Sequence, residues 1–366
     1  MKKIGILSIF ANYNHGSSLQ VYALQKTIEK FEPDCEIIDY QSDILREVRP
    51  SYKKRPLYPK DILKSIFRLP YAKKLLKRDQ LFDDFFNFEL KRGPLCRTEQ
   101  EVIEQAGNYE CIVCGSDQGW NLDPAGRYFN MIYYLNFPKK QRRVTYATSF
   151  GDWVEKLPQC ENEVLPWIQT YDMLSMRERS GVSYLQSKGF DCKLVLDPTL
   201  LLKVEEYKNI EEETAMTKYV LLLSWIGSKD ALHIAKDVAN KLGLKIVCIM
   251  ASPKHIFSGV KRKLDVGPKE FLGLIKNATF VVTDAFHGAV FSIQYEKPFV
   301  SVNNGNFDTR RQSLLSQLGL ESHYLRPLEV DFDKIMSTDF APTKRKLESL
   351  KDDSIAYLKK AIGVSC

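Results

Sequence analysis

The chain has 366 residues, 44% of them hydrophobic and 11% aromatic, with a formal net charge of +7. This composition excludes intrinsic disorder, and no apolar run approaches the ~20 residues needed to span a bilayer. Between Arg46 and Arg78 twelve Lys or Arg face only Glu47 and Asp61, so this segment carries +10 and the rest of the chain about −3, which excludes a broadly basic nucleic-acid binder.

Two lysines followed by Ile4 to Ile9 resemble a short signal peptide, but no small-residue cleavage site follows, and a buried first strand over 4–9 fits better. A polar loop, Asn12 to Ser18, precedes a helix with Val21, Leu24, Ile28 and Phe31 at helical spacing and Ser17 or Ser18 as its N-cap. Glu36 to Tyr40 is the second strand, completing the start of a βαβ unit. From Gln41 to Thr98 the pattern is irregular, with five prolines, the basic segment and a helical stripe of Phe82, Phe85, Phe86 and Phe88. Glu101 to Ala106 reads as a helix, Cys111 to Cys114 and Arg143 to Thr148 as strands, Val164 to Tyr171 and Glu178 to Lys188 as helices, and Lys193 to Leu196 as a strand. The second half alternates regularly. Strands over 219–225, 245–250, 279–283 and 298–302 are separated by helices over 229–242, 268–277, 286–295 and 310–318, and a helix near 343–361 ends the chain. The rhythm predicts an α/β protein of two Rossmann-like domains facing a cleft, with ligands at the carboxyl ends of the strands.

Three strand-to-helix loops concentrate unusual polar residues. Asn14 to Ser18 places a glycine and two serines at a helix start, either as a capped turn or as backbone donors for an anion. Gly115-Ser116-Asp117-Gln118-Gly119-Trp120-Asn121 carries more hydrogen-bonding side chains than a turn requires. In Thr283-Asp284-Ala285-Phe286-His287-Gly288 the histidine lies in the first turn of a helix, either as a capping or core residue or as an acid–base group beside an anion. Ser175-Met176-Arg177-Glu178-Arg179 reads as a solvated ion-pair cluster unless an anionic ligand recruits its arginines. The remaining histidines (15, 233, 255 and 323) show no metal spacing. His15 lies in the first loop and the others read as surface residues. Eight cysteines are scattered singly; Cys111 and Cys114 have redox-type spacing but sit inside a strand, and the chain reads as a reduced, cytoplasmic protein.

Four blocks, in order, resemble the polysaccharide pyruvyl transferase family. They are Asn14-His15-Gly16-Ser17-Ser18-Leu19-Gln20, Gly115 to Asn121, Ser175-Met176-Arg177-Glu178 with Leu196-Asp197-Pro198-Thr199-Leu200-Leu201, and Thr283 to Ser292. His15 stands where the family has Tyr, Gly119 where it has Val, and Ala285 and Ala289 where it has Ser and Thr. The resemblance implies a fold similar to the B-type glycosyltransferases. An N-terminal domain (1–197, acceptor side) would include the basic segment 46–78; a C-terminal domain (198–335, donor side) and a closing helix (336–366) would follow.

The resemblance further implies transfer of the pyruvyl group of phosphoenolpyruvate to two sugar hydroxyls, giving a cyclic ketal and phosphate, with no metal and no cofactor beyond this donor. On that reading His287, Arg177 and Asp117 are catalytic. Arg177, His287, Gly288, Phe286, Gly16 and Ser17 bind the donor, and Asp117, Gln118, Asn14 and Trp120 bind a carbohydrate acceptor, free or lipid-linked. Two rivals on the same fold are a nucleotide-sugar-dependent glycosyltransferase, for whose ribose only Glu296 is available, and a non-catalytic sugar- or phosphate-binding relative. The segment 46–78 is either a solvated basic face or a peripheral contact with the anionic inner face of a membrane.

Overall fold

The computed structural model describes residues 3–42, 69–121, 130–151, 154–224, 227–250, 260–303 and 308–364. Strands β1 (Ile4–Leu7), β2 (Cys35–Tyr40), β3 (Arg92–Cys96), β4 (Cys111–Cys114) and β5 (Arg142–Thr145) form one sheet in the order β3-β2-β1-β4-β5. All its pairings are parallel, and Ile4 lies opposite both Cys35 and Cys111. β1 and β4 are buried throughout, because helices cover both faces of a parallel sheet. Such strands have no solvent side and read as plain apolar runs. Among the described residues the helices packed on this sheet include α1 (His15–Glu29), α2 (Ala72–Phe88) and α3 (Glu99–Ala106). The strand order reverses between β1 and β4, which opens a crevice at their carboxyl ends.

Beyond β5 the chain forms α4 (Glu161–Ile168), β6 (Leu174–Met176), α5 (Arg179–Ser187) and β7 (Cys192–Leu194). β6 and β7 pair in parallel, and single bridges from Val144 to Met173 and from Thr148 to Met176 set them beside β5. After α6 (Val204–Lys208) a second sheet comprises β8 (Tyr219–Ser224), β9 (Lys245–Met250), β10 (Lys261–Arg262), β11 (Phe280–Thr283), β12 (Phe299–Val302) and β13 (Tyr324–Leu325). Its order, β10-β9-β8-β11-β12-β13, is again parallel and again reverses beside its first strand. Its helices are α7 (Lys229–Leu242), α8 (Pro268–Lys276), α9 (Phe286–Gln294), α10 (Thr309–Leu318) and α11 (Phe332–Met336).

The last helix, α12 (Ala341–Ile362), returns to the first half. Tyr357 Oη donates to the Thr145 carbonyl at 3.1 Å, the Leu196 N–H donates to Ser354 Oγ at 3.0 Å, and Arg142 Nε donates to the Ala361 carbonyl at 2.5 Å. One hydrophobic cluster accordingly runs from Ile4 and Phe86 through Leu200 to Phe299 and Leu358.

Several expectations need correction. β1 ends at Leu7, because from Ser8 onward the chain spends its polar groups on side chains: Ser8 Oγ donates to the Ser116 carbonyl at 3.0 Å and accepts from Gln20 Nε2 at 2.9 Å. The N-cap of α1 is Asn14, not Ser17 or Ser18; its carboxamide oxygen accepts from the N–H groups of Gly16 (2.9 Å) and Ser17 (3.3 Å). Phe82, Phe85 and Phe86 are buried, but Phe88 is 79% exposed at the end of α2. His323 is a core residue whose Nδ1 lies 2.8 Å from the Phe299 carbonyl. In agreement with the sequence reading, the Cys114 thiol is buried, and burial pushes its pKa up to about 12, which suits a core thiol and not a redox pair. Of the segment 46–78, residues 46–68 lie outside the described residues. Lys73, Lys74 and Lys77 are exposed on α2, whereas Arg78 is buried and donates to the Tyr13 carbonyl at 3.1 Å.

Candidate active site

The loops after β1, β4 and β5 share a backbone signature. Tyr13, Asp117 and Ala147 each adopt a left-handed conformation, at φ of 52°, 71° and 51°. Non-glycine residues rarely take this form, and a cluster of them at the carboxyl ends of adjacent strands marks backbone held in place by its surroundings. At the β4 loop the turn brings the Asp117 carboxylate back over α1, where Ser17 Oγ donates to it. Asn12 Nδ2 in turn donates to Ser17 Oγ at 3.1 Å.

Arg177 follows β6 directly, with its side chain 1% exposed. Its Nη2 donates to Asp117 at 3.2 Å and its Nη1 to Asp197 at 2.8 Å. The guanidinium carbon lies 4.6 Å from the centroid of the Phe286 ring. Burial alone would lower the Arg177 pKa, but Asp117 and Asp197 together hold it above its ordinary value. Burial likewise opposes ionisation of Asp117; Arg177 first, then His287, Ser17 and Arg310 outweigh it and keep the carboxyl below its ordinary range.

Asp197, fully buried, accepts four hydrogen bonds. They come from Arg177 Nη1, Ser116 Oγ (3.2 Å), the Thr199 N–H (3.0 Å) and Thr199 Oγ1 (2.6 Å). Its burial penalty is overcome by His287, Arg177 and Thr199, and its pKa lies far below the carboxylate range.

The C-terminal half contributes α9, whose N-cap Ala285 offers no side-chain hydrogen bond to the first turn. His287 is the second residue of that turn. Its Nε2 is buried without a hydrogen-bond partner and lies 3.7 Å from Asp197 Oδ1. A Cβ on Gly16 would fall 2.8 Å from His287 Cε1 and closer still to Nδ1 and Cγ, so α1 and α9 meet only because residue 16 is glycine. Gly288 plays the same part toward Thr283, whose Cβ would lie 2.9 Å from an added methyl and whose hydroxyl would lie nearer. That hydroxyl accepts from the Ala285 N–H at 3.0 Å and so sets the entry of α9.

The structure thus gathers Asp117, Arg177, His287, Phe286, Gly16 and Ser17 at one junction between the two halves. It does not use the other expected residues as foreseen. The N–H groups of Gly16 and Ser17 already donate to Asn14, which is itself a helix cap and not a free acceptor contact. Gln118 Oε1 accepts from Asn121 Nδ2 at 2.7 Å in a half-buried turn. Trp120, expected to face a sugar, is wholly buried. It stacks on Tyr134 at 5.0 Å and its indole N–H donates to the Tyr133 carbonyl at 2.9 Å, so it is a core residue. Glu296, the ribose candidate of the rival reading, is exposed and pairs with Lys344.

Two residues quoted in the family blocks were given no role from the sequence. Asp197 looked like the end of a strand before a proline, although an Asp-Pro-Thr turn is itself a capping signal. Glu178, expected in a solvated cluster, is fully buried. Its Oε1 accepts from the Phe150 N–H at 2.8 Å, its Oε2 has no partner, and burial raises its pKa to about 7 despite Arg177 and Arg310. Among the described residues no group of three or more His, Cys, Asp or Glu is arranged to hold a metal ion.

The fold and this junction define a GT-B-like α/β protein. In fold the chain is similar to a UDP-GlcNAc 2-epimerase from Methanocaldococcus jannaschii, solved in complex with UDP-GlcNAc and UDP. That match has 13% identity and a TM-score of 0.53, and covers 96% of this chain and 100% of that one. A putative UDP-N-acetylglucosamine 2-epimerase from Listeria monocytogenes is similar at 11% identity and a TM-score of 0.52, covering 96% and 91%. A third structure, of a UDP-N-acetylglucosamine 2-epimerase, matches at 10% identity and a TM-score of 0.55, covering 99% and 96%. None of the curated proteins matches the sequence. The polysaccharide pyruvyl transferase family model matches residues 14–306, and the chain belongs to that family.

Proposed function

We propose that the protein transfers the pyruvyl group of phosphoenolpyruvate to two hydroxyls of one sugar in a polysaccharide or its precursor, forming a cyclic ketal and releasing phosphate. The observation that carries this reading is the uncapped first turn of α9 beside the buried Arg177. A donor bearing a carboxylate and a phosphate suits backbone N–H groups at a helix N-terminus backed by positive charge. Ala285 makes no side-chain hydrogen bond to those N–H groups. Both Nη groups of Arg177 are engaged by carboxylates, so in this reading Arg177 supplies charge and holds Asp117, while the N–H groups of α9 make the closer contact.

In the reaction His287 gives a proton to the methylene carbon, the π electrons form the new C–H bond, and the central carbon becomes cationic. The first sugar hydroxyl attacks it, and His287, now neutral, takes that hydroxyl's proton. The carbon–oxygen bond to phosphate then breaks with both electrons leaving on phosphate. The second hydroxyl closes the ring and its proton departs on the released hydrogen phosphate. Asp117 orients the hydroxyls.

Phosphate release from phosphoenolpyruvate with a sugar acceptor, and a ketal methyl signal in the product, test the reading. Replacing His287 with Ala should lower turnover by about 10²–10⁴-fold. Release of nucleotide from a nucleotide sugar would replace the reading with a glycosyltransferase, and saturable donor binding without phosphate release would replace it with a binding protein. No helix among the described residues is long and apolar enough to cross a membrane. For a lipid-linked acceptor the contact would be peripheral. Lys73, Lys74 and Lys77 beside the 59% exposed Leu76 on α2 support one, and salt-sensitive flotation with anionic liposomes tests it.

A further inference from the structure

The chemistry just proposed assigns no task to Asp197, yet its carboxylate reaches Arg177 of the first half at 2.8 Å and lies 3.7 Å from His287 of the second. Its setting is unusually determined. Thr199 holds Oδ1 through both its N–H and its hydroxyl, while Arg177 and Ser116 hold Oδ2. Pro198 begins the short 3₁₀ turn that presents Thr199, and the carboxylate is wholly shielded from solvent. Four hydrogen bonds from three residues leave it no freedom to turn, so any partner must come to it.

That partner is His287. Its Nε2 is buried with no hydrogen-bond partner, which is costly unless a charge faces it. The 3.7 Å to Asp197 Oδ1 exceeds a hydrogen bond but is too short to admit a bridging water. On the other side of the ring, Nδ1 faces Gly16, whose missing side chain leaves the space in front of it open. The imidazole therefore lies with Nε2 toward a fixed carboxylate and Nδ1 toward the space at Gly16, and catalytic hydrogen bonds of this length commonly tighten when substrate binds.

We propose that Asp197 is the positioning residue of the reaction: it fixes the plane of the His287 ring and faces the charge that ring carries before it gives its proton and again after it takes one back. This rests on the pyruvyl transfer reading for its kinetic meaning but not for its geometry.

The test is a double-mutant cycle in the full chain with Asp197→Asn, His287→Ala and both together. If Asp197 acts through His287, Asp197→Asn alone lowers kcat by 10²-fold or more, with a smaller change in KM for phosphoenolpyruvate. In the His287→Ala background it then changes kcat by less than 3-fold. Losses that multiply overturn the proposal, because a merely structural role would cost the same in either background. Should Asp197→Asn fail to fold, Thr199→Val retains the charge but loosens it; a loss of about 10-fold that vanishes in the His287→Ala background is then expected, and a loss in both overturns the proposal. A second readout needs no activity: the ¹⁵N resonances of the His287 ring, assigned by their disappearance in His287→Ala. A shift in Asp197→Asn with an inactive wild type leaves the inference standing and removes the pyruvyl transfer reading. Unchanged resonances remove the inference.

Discussion

Gly16 offers a perturbation whose two consequences have opposite signs. Gly16→Ala adds one methyl at the second helical position of α1, where helix propensity alone favours alanine by about 0.8–1 kcal/mol. The added carbon would lie 2.8 Å from His287 Cε1 and closer to Nδ1 and Cγ, against the 3.4 Å at which ordinary contact begins. The ring must move by more than 1 Å, and Asp197 and Phe286 flank it. Overpacking of this kind costs ~1–3 kcal/mol, so the net change is a destabilisation of about 0–2 kcal/mol. A shift of this size at a reacting group costs about 10²-fold in rate, so activity should fall much further than stability. In the His287→Ala background the obstacle is gone, and the same Gly16→Ala change should become stabilising by about 0.5–1 kcal/mol. Urea unfolding of the four proteins, with phosphate release from phosphoenolpyruvate, measures both quantities. A Gly16→Ala protein that is more stable than wild type and turns over normally would refute the close approach of α1 and α9.

Other expectations follow from buried groups. Burial raises the Glu178 pKa to about 7, against 4.5 for the ordinary group. Its stability contribution is therefore full below pH 4.5 and lost as pH rises through 7, a difference of about 3 kcal/mol. Glu178→Gln should remove this slope and be more stable than wild type at pH 8 but not at pH 4.5; parallel stability–pH curves would contradict it. His15 is stacked on Phe271 at 4.9 Å with Nε2 2.9 Å from the Val266 carbonyl, and burial, helped by Arg78, lowers its pKa to about 3 from 6.5. That contribution is present above pH 6.5 and lost as pH falls through 3. His15→Tyr should therefore flatten the acid side of the stability curve, by up to about 4–5 kcal/mol. Trp120→Ala should cost about 3–5 kcal/mol in unfolding measurements, with acceptor KM unchanged in the folded fraction; a raised KM at full stability would restore its place at the sugar.

Much of the fold was legible because both sheets are parallel. Strands such as Cys111–Cys114 and Tyr219–Ser224, buried on both faces, cannot be mistaken for surface segments, and their helices follow at regular intervals. Boundaries were less so: the cap of α1 depends on which side chain reaches two N–H groups, and Asn14 competed with two serines. In the site, blocks near in sequence were found, but what joins them was not. Arg177 meets Asp197 twenty positions away and Asp117 sixty away, and no local pattern encodes either encounter. Trp120 misled for a related reason, since an aromatic residue in a polar loop looks exposed until Tyr134 is known to lie against it.

The return of α12 has a mechanical consequence. The chain leaves the first half after β7, and α12 returns to it there, with Ser354 accepting from the Leu196 N–H. Two bodies joined at neighbouring crossings can rotate only about the line through both. Atoms on that line stay put while the far rims of the cleft swing widest. Asp197 follows Leu196 directly, so a rotation about that line would leave its carboxylate nearly in place while the far ends of the two sheets moved most.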